Sequence, residues 1–387
     1  MTVLFWTSIL LVTYTYVGYP LVLWALGRLR PRHVRKQRIG PSVSVIIAAR
    51  NEAGKIRQKI DNTLTLDYSP SLLEVIVASD ASDDGTDEIV REFAPQGVRL
   101  VRSPQRGGKE YVQGLAVAVA RGEILVFTDV ATILEPDALS HLVENFADLT
   151  VGAVSTEDVL MDSSGNPTAE GLYVKYEMWV RRLESRFHSL VGLSGSCFAI
   201  RKELCADWSP TLASDFLEAM QAARRGYRSV VDPAVRGRFP AVVSAQLELP
   251  RKIRTFLRGI TVLVANLDMV NPSTHGRFAF QLASHKLLRF LSPFLLINVL
   301  ATTGFLMGEQ GFRLFFWTQA AFYVLGMVGS LVPVIQRNWI TRVAHYFTMV
   351  QWAILVAWWK YARGHQQIAW EPSKRPGIVA PDHGSTH

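Results

Sequence analysis

Cysteine is nearly absent from this 387-residue chain, which holds only Cys197 and Cys205. Two thiols cannot build a disulfide framework or a tetrahedral zinc site, and they fit a domain facing a reducing cytosol. The nine histidines never fall at metal-ligand spacing, so a His-based metal centre has no support. Also missing are the phosphate loop G-x-x-x-x-G-K-[ST] and the dinucleotide fingerprint G-x-G-x-x-G. A P-loop NTPase or a Rossmann dehydrogenase is therefore not expected. Charge is sparse, at 19% of residues against 49% hydrophobic, and the mean hydropathy of +0.16 is high for a soluble protein. The net charge of +8 would suit nucleic acid, but no nucleic-acid module is present and much of the charge flanks apolar blocks. Membrane topology explains that placement more simply.

Residues 3–26 are almost unbroken hydrophobics, long enough to span a bilayer. Arg28, Arg30, Arg32, Arg35, Lys36 and Arg38 follow the run instead of preceding it. That order argues against a signal peptide and for an uncleaved anchor with its C-terminal end in the cytoplasm. Pro20 is expected to kink the helix. After Lys286 and Arg289 the apolar segments return, at roughly 290–308, 314–335 and 341–359. Gln336, Arg337 and Arg342 look cytoplasmic. Three spans would then leave Lys360, Arg363, Lys374 and Arg375 outside, against the positive-inside tendency, unless one segment is re-entrant or interfacial. Trp317, Trp352, Trp358 and Trp359 read as interface belts, and His285 with Lys286 as anchors. The last dozen residues look disordered.

From Pro41 the texture becomes that of a soluble α/β domain. Ser42–Ala49, Leu73–Ser79, Val98–Arg102 and Ile124–Thr128 read as strands, alternating with helices over about 53–64, 86–93 and 111–120. Such alternation argues for a mostly parallel, three-layer sheet. Residues 172–190 form a helix with an aromatic and a basic face, either interfacial or packed on the sheet, and 250–263 repeat the basic-plus-apolar theme. Three strand ends carry acids in order: Asn51-Glu52, Asp80 and Asp129. Ligands of parallel sheets sit beyond the carboxyl ends of the strands. Converging carboxylates there are costly without a hydrogen-bonding or cationic partner. A nucleotide base and ribose, or a divalent cation with a diphosphate, would serve. Lys109, behind Gly107-Gly108, could counter phosphate charge.

These motifs resemble the inverting family 2 glycosyltransferases of GT-A fold over about residues 41–265. Ser42–Glu52 is similar to the family's opening strand and Asn-Glu, and Asp80-Ala81-Ser82-Asp83-Asp84-Gly85-Thr86 to its D-G-S-x-D-G-T turn. Gly108-Lys109, Gly114-Leu115 and Ala120–Glu123 resemble the approach to the donor strand, and Thr128–Thr132 stands where the family has D-x-D or D-A-N-T. Gly195–Lys202 and Ser214-Asp215-Phe216, followed by Gly226-Tyr227-Arg228, resemble the family's later segments. The resemblance implies Asp215 as catalytic base, Glu52, Asp80, Lys109 and Asp129 as nucleotide-sugar ligands, and Asp129 as ligand of Mg²⁺ or Mn²⁺. An ordinary helix-capping role is the competing reading of Asp215. Arg251, Arg254 and Arg258 are candidates for the acceptor or the diphosphate.

Two departures matter. Ala131 replaces the second acid of D-x-D, leaving Thr132, Glu157 or Asp158 to compensate. The Q-x-x-R-W motif of processive synthases is matched only by Arg251-Lys252-Ile253-Arg254-Thr255, without tryptophan.

The expected fold is thus α/β, a GT-A (Rossmann-like, mostly parallel) cytosolic domain plus one N-terminal and about three C-terminal transmembrane helices. Its expected divisions are an anchor over 1–27, a basic linker over 28–40, the transferase domain over 41–265, membrane helices over 288–360 and a polar tail over 361–387. The expected protein is a multi-pass plasma (inner) membrane enzyme with a cytoplasmic catalytic domain. It would move a sugar from a nucleotide sugar, UDP-linked by expectation, to a lipid-linked or growing saccharide in cell-surface polysaccharide assembly. Membrane lipids are expected partners and nucleic acid is not. A processive synthase that extrudes its product, and a non-catalytic nucleotide-sugar sensor of polysaccharide export machinery, are the alternatives.

Overall fold

The computed structural model describes residues 1–161, 169–240, 245–332 and 338–365. Among the described residues eight strands make one sheet: β1 Val43–Ala49, β2 Leu73–Ser79, β3 Val98–Arg102, β4 Ile124–Asp129, β5 Ile133–Leu134, β6 Val151–Met161, β7 Cys197–Arg201 and β8 Arg228–Pro240. Their order is β3-β2-β1-β4-β7-β6-β8-β5. The β3-β2-β1-β4 half is parallel, β7 runs antiparallel to β4 and β6, and β6 pairs in parallel with β8. This is the mixed α/β sheet of a GT-A-like fold.

Every residue of β1 is buried, Ser44 included, as expected of a mostly apolar strand covered on both faces. Val45 and Ile47 join Ile56 and Ile60 of the helix Ala53–Leu64 in one core layer. Ile46 and Ala48 point the other way, into a layer with Phe127, Phe198 and Ala116. Phe127 stacks on Phe198 and on Trp208, with ring centroids 5.0 and 4.8 Å apart. Each fully buried Val, Ile or Phe in these layers contributes about 1.5–3 kcal/mol of transfer free energy.

Thr2–Thr13 and Tyr19–Leu29 form one helical rod joined by a π-helical turn, Tyr14–Gly18. Pro20 has no N–H to give the carbonyl four residues earlier. That carbonyl, Tyr16 O, accepts instead from the Tyr176 hydroxyl at 2.9 Å. The kink expected at Pro20 is thus a π-turn repaired by a neighbouring helix, Ala169–Phe187. This helix packs against the sheet at β6 and β8 and carries the N-terminal rod on another side.

Helices Leu288–Phe305, Gln310–Leu331 and Trp339–Ala362 occupy the three C-terminal apolar segments. Among the described residues two stretches are long and apolar enough to cross a membrane, Thr2–Leu29 and Pro272–Phe305. Small hydrogen-bonding residues join them: Asn298 Nδ2 donates to Ser8 Oγ at 2.7 Å, and the Tyr14 and Ser284 hydroxyls lie 2.9 Å apart. Trp6, Leu10, Phe294 and Ile297 are exposed on these two stretches, as a lipid-facing surface requires. Lys374, Arg375, the loop residues Gln336 and Arg337 and most of the polar tail lie outside the described residues.

Candidate active site

Strand register decides what meets at the site. Ala48 of β1 pairs with Asp129 of β4, and Ala49 pairs with Ser79 of β2. The residues that follow all three strands therefore emerge at one edge. Cys197 of β7 lies opposite Thr128, which brings Gly195 and Ser196 beside Asp129. The Asp129 N–H donates to Ser196 O at 3.0 Å.

A cavity of about 430 Å³ opens beyond this edge. Glu52, Lys109, Asp129, Asp215, Arg251, Arg254 and Arg258 all line it. Asp80 is placed differently. It is fully buried, and its carboxylate accepts the backbone N–H groups of Gly107 at 2.7 Å and Gly108 at 3.2 Å. Gly108 has φ +91°, a conformation that glycine alone adopts cheaply. Asp80 thereby fixes the loop that presents Lys109 as the first residue of the helix Lys109–Val119.

Lys109 Nζ donates to Asp129 Oδ1 at 2.5 Å and to Gly195 O at 3.0 Å. Gly195 also approaches Asp215 so closely that a Cβ on it would stand 2.9 Å from Asp215 Oδ2. Asp215 lies in the first turn of the helix Ser214–Arg224, where the helix dipole favours a carboxylate. The capping alternative is not realised. Ala213 is the N-cap with no side-chain cap bond, and Ser214 Oγ donates to Gln113 Oε1 at 3.2 Å.

Glu52 is buried, and burial pushes its carboxyl above the ordinary value; Lys55 pulls it back while Asp129 and Asp84 add to the rise. Of the three residues weighed against the loss of an acid at Ala131, Asp158 is the carboxylate residue that lines the cavity. It accepts from Ser194 Oγ at 2.6 Å and Ser196 Oγ at 2.7 Å. Glu157 pairs with Arg182 at 2.8 Å, and Thr132 is buried with its hydroxyl on Ser196 O at 3.3 Å.

Mg²⁺ and Mn²⁺ in nucleotide sites take one or two carboxylates and complete their shell with phosphate oxygens. Asp129 supplies one carboxylate and Asp158 lines the same cavity, while among the described residues no group of three or more His, Cys, Asp or Glu gathers. The residues fit a cation that arrives with a diphosphate, not one held by protein alone.

Two features of the site had no local signal in the sequence. Lys59, from the helix Ala53–Leu64, is fully buried beneath the Asp129 turn and donates to Thr128 Oγ1 at 3.0 Å and Thr132 O at 2.7 Å. Burial pulls its ammonium down to about 8. On another wall Glu177 meets Arg289 at 2.6 Å, His285 at 3.0 Å and Lys286 at 3.7 Å. Burial alone would raise the Glu177 carboxyl, but Arg289, His285 and Lys286 hold it well below the usual range. His285, read from sequence as a surface anchor, is buried, with Nδ1 2.7 Å from Glu184. Arg258 is paired with Glu110, and Arg251 with Glu248 at 2.9 Å.

Residues 44–208 match the family model described as Glycosyl transferase family 2. The domain belongs to glycosyltransferase family 2. The β-monoglucosyldiacylglycerol synthase of Trichormus variabilis is 29% identical over 226 residues, covering 55% of this chain and 48% of that protein. A probable glycosyltransferase of Bacillus subtilis, YdaM, is 26% identical over 50% of this chain and 49% of its own. The chain thus spans about half the length of the curated relatives it matches. Among solved structures, the mannosyltransferase PcManGT from Pyrobaculum calidifontis, in complex with GDP-Man and Mn²⁺, superposes with a TM-score of 0.72 at 24% identity. That match covers 94% of this chain and 100% of the other, and it establishes the family 2 domain's fold together with its flanking helices.

Proposed function

We propose that this family 2 protein is a membrane-anchored inverting glycosyltransferase. It moves one sugar from a nucleotide diphosphate sugar to a hydroxyl of a lipid-linked or growing saccharide acceptor. The observation that carries this reading is the shared cavity. Asp129, Lys109 and Asp215 face the same space as Arg254 and Arg258, and one wall comes from the candidate span Pro272–Phe305.

In this reading Asp215 accepts the proton of the acceptor hydroxyl. The acceptor oxygen attacks the anomeric carbon, the bond from that carbon to the diphosphate oxygen breaks, and the nucleoside diphosphate leaves from the opposite face with inversion. Lys109 counters diphosphate charge, and Arg251, Arg254 and Arg258 serve the diphosphate or the acceptor. Glu52 contacts the nucleotide, while Asp80 serves it by fixing the Gly107–Lys109 loop. Asp129 would hold a divalent cation, which supplies Lewis-acid stabilisation of the leaving group when bound.

The Mn²⁺ and GDP-Man of the mannosyltransferase complex support a cation, and we take GDP-sugars beside UDP-sugars as donor candidates. The glycolipid in the name of the synthase relative supports a lipid acceptor; its presentation at the plasma membrane, in cell-surface glycan assembly, is part of the same proposal. Processive extrusion is disfavoured by the missing tryptophan after Arg254.

The test is nucleotide release by detergent-purified protein across UDP- and GDP-sugars, with native lipid extract, Mn²⁺ or EDTA, and an Asp215→Asn control. Release with one donor that falls by about 10²–10⁴ in Asp215→Asn supports the assignment. Release that survives the substitution refutes Asp215 as base, and nucleotide binding without release in the presence of a competent acceptor favours a sensor.

A further inference from the structure

We propose that Lys109 is a tethered counter-ion that occupies Asp129 and is displaced only when a divalent cation arrives together with the donor diphosphate. The inference rests on the transferase reading above and extends it to the order in which the site fills.

Three observations carry it. First, Lys109 Nζ sits 2.5 Å from Asp129 Oδ1 and so competes with a hard cation for that oxygen. The Lys109 side chain is 12% exposed and Asp129 35%, so the ammonium is sheltered while the carboxylate stays open to an arriving cation. Second, the ammonium is aimed. Asp80 fixes the Gly107-Gly108 loop from behind, and Gly195 O accepts a second Lys109 bond at 3.0 Å. Third, the motif position of the second acid is taken by Ala131, and the buried Lys59 lies beneath the same turn.

An Asp129 carboxylate already paired with one ammonium group, with a second beneath its turn, is a poor ligand for a free divalent cation. The balance changes when a diphosphate brings its own negative charge, because it offers oxygen ligands to the cation and a new partner to Lys109. Lys109 then passes from carboxylate to phosphate. The device keeps the cation out of an empty site and couples its entry to the donor.

Mn²⁺ binding, followed by electron paramagnetic resonance on the full-length detergent-purified protein, tests this without a turnover readout. Wild-type protein should bind Mn²⁺ weakly alone and far more tightly with UDP or GDP present. Lys109→Met should bind Mn²⁺ alone about tenfold more tightly than wild type, the scale expected for removing a unit charge a few ångströms from the metal. Asp129→Asn in the Lys109→Met background should abolish that gain, and the melting temperatures of the variants report that they fold. Unchanged Mn²⁺ affinity in folded Lys109→Met protein overturns the proposal. If wild-type protein binds neither UDP nor GDP, the transferase reading fails instead.

Discussion

Gly195→Ala is the sharpest perturbation the site offers, because it adds one methyl group between two functional side chains and removes nothing. Its Cβ would lie 2.9 Å from Asp215 Oδ2 and 3.8 Å from Asp215 Cγ. Ordinary contact begins near 3.4 Å, so the carboxylate must retreat by about half an ångström or more. The backbone leaves it little room to share that shift, since Asp215 O accepts the Leu193 N–H at 2.7 Å. A misplacement of about 1 Å costs on the order of 10²-fold in rate when reacting groups must align. The expected result is a kcat lower by about tenfold or more. Nucleotide affinity should stay within about twofold, because the carbonyl that Lys109 binds is unaltered. Single-turnover product formation, isothermal titration with nucleotide and a melting curve separate the three effects. A full-rate Gly195→Ala enzyme would refute the placement of Asp215 as base. Equal loss of nucleotide affinity would show that the methyl acts through the donor side instead.

Three further substitutions probe the support around the cavity. Asp80→Ala leaves the Gly107 and Gly108 N–H groups without their acceptor; about 1–3 kcal/mol of stability should be lost, with weakened nucleotide binding in titration. Lys59 is depressed to about 8 in the fold from an ordinary 10.5, so the unfolded chain binds the extra proton between those values and stability rises with pH across that window. Wild type should gain up to about 3 kcal/mol relative to Lys59→Met between pH 8 and 10.5, and parallel melting curves across that range would contradict this. Arg258→Ala strands the buried Glu110 carboxylate, whereas the Arg258→Ala, Glu110→Gln double variant should recover part of the lost melting temperature.

The sheet was legible because its central strands are short apolar runs that end on polar residues. Leu73–Ser79 and Val98–Arg102 fall where the sequence puts them. The acids at strand ends were equally readable, since parallel register carries them to one edge. What sequence could not supply is pairing at long range. Asp80 reads as a ligand from its motif, with no sign in the sequence that its carboxylate also accepts two N–H groups of a loop 27 and 28 residues away. Lys59 looks like a surface helix residue until β4 arrives beneath it. Glu177 and Arg289 lie 112 positions apart, and each alone reads as an exposed charge. Arg258 was visible as basic, but not that it already holds Glu110. The Pro20 kink was foreseen in place and not in form, because its repair comes from Tyr176 on another helix.

The wall contributed by Pro272–Phe305 has a kinetic consequence. An acceptor that, on the proposed reading, reaches the cavity beside this candidate span approaches by lateral diffusion, so its effective concentration is a mole fraction in the bilayer rather than a molarity in bulk. On the proposed reading, diluting a lipid acceptor with inert amphiphile at fixed total acceptor slows turnover while the half-saturating donor concentration stays put. Such an enzyme responds to how crowded its membrane is with acceptor, and glycan output then follows lipid composition as directly as it follows nucleotide-sugar supply.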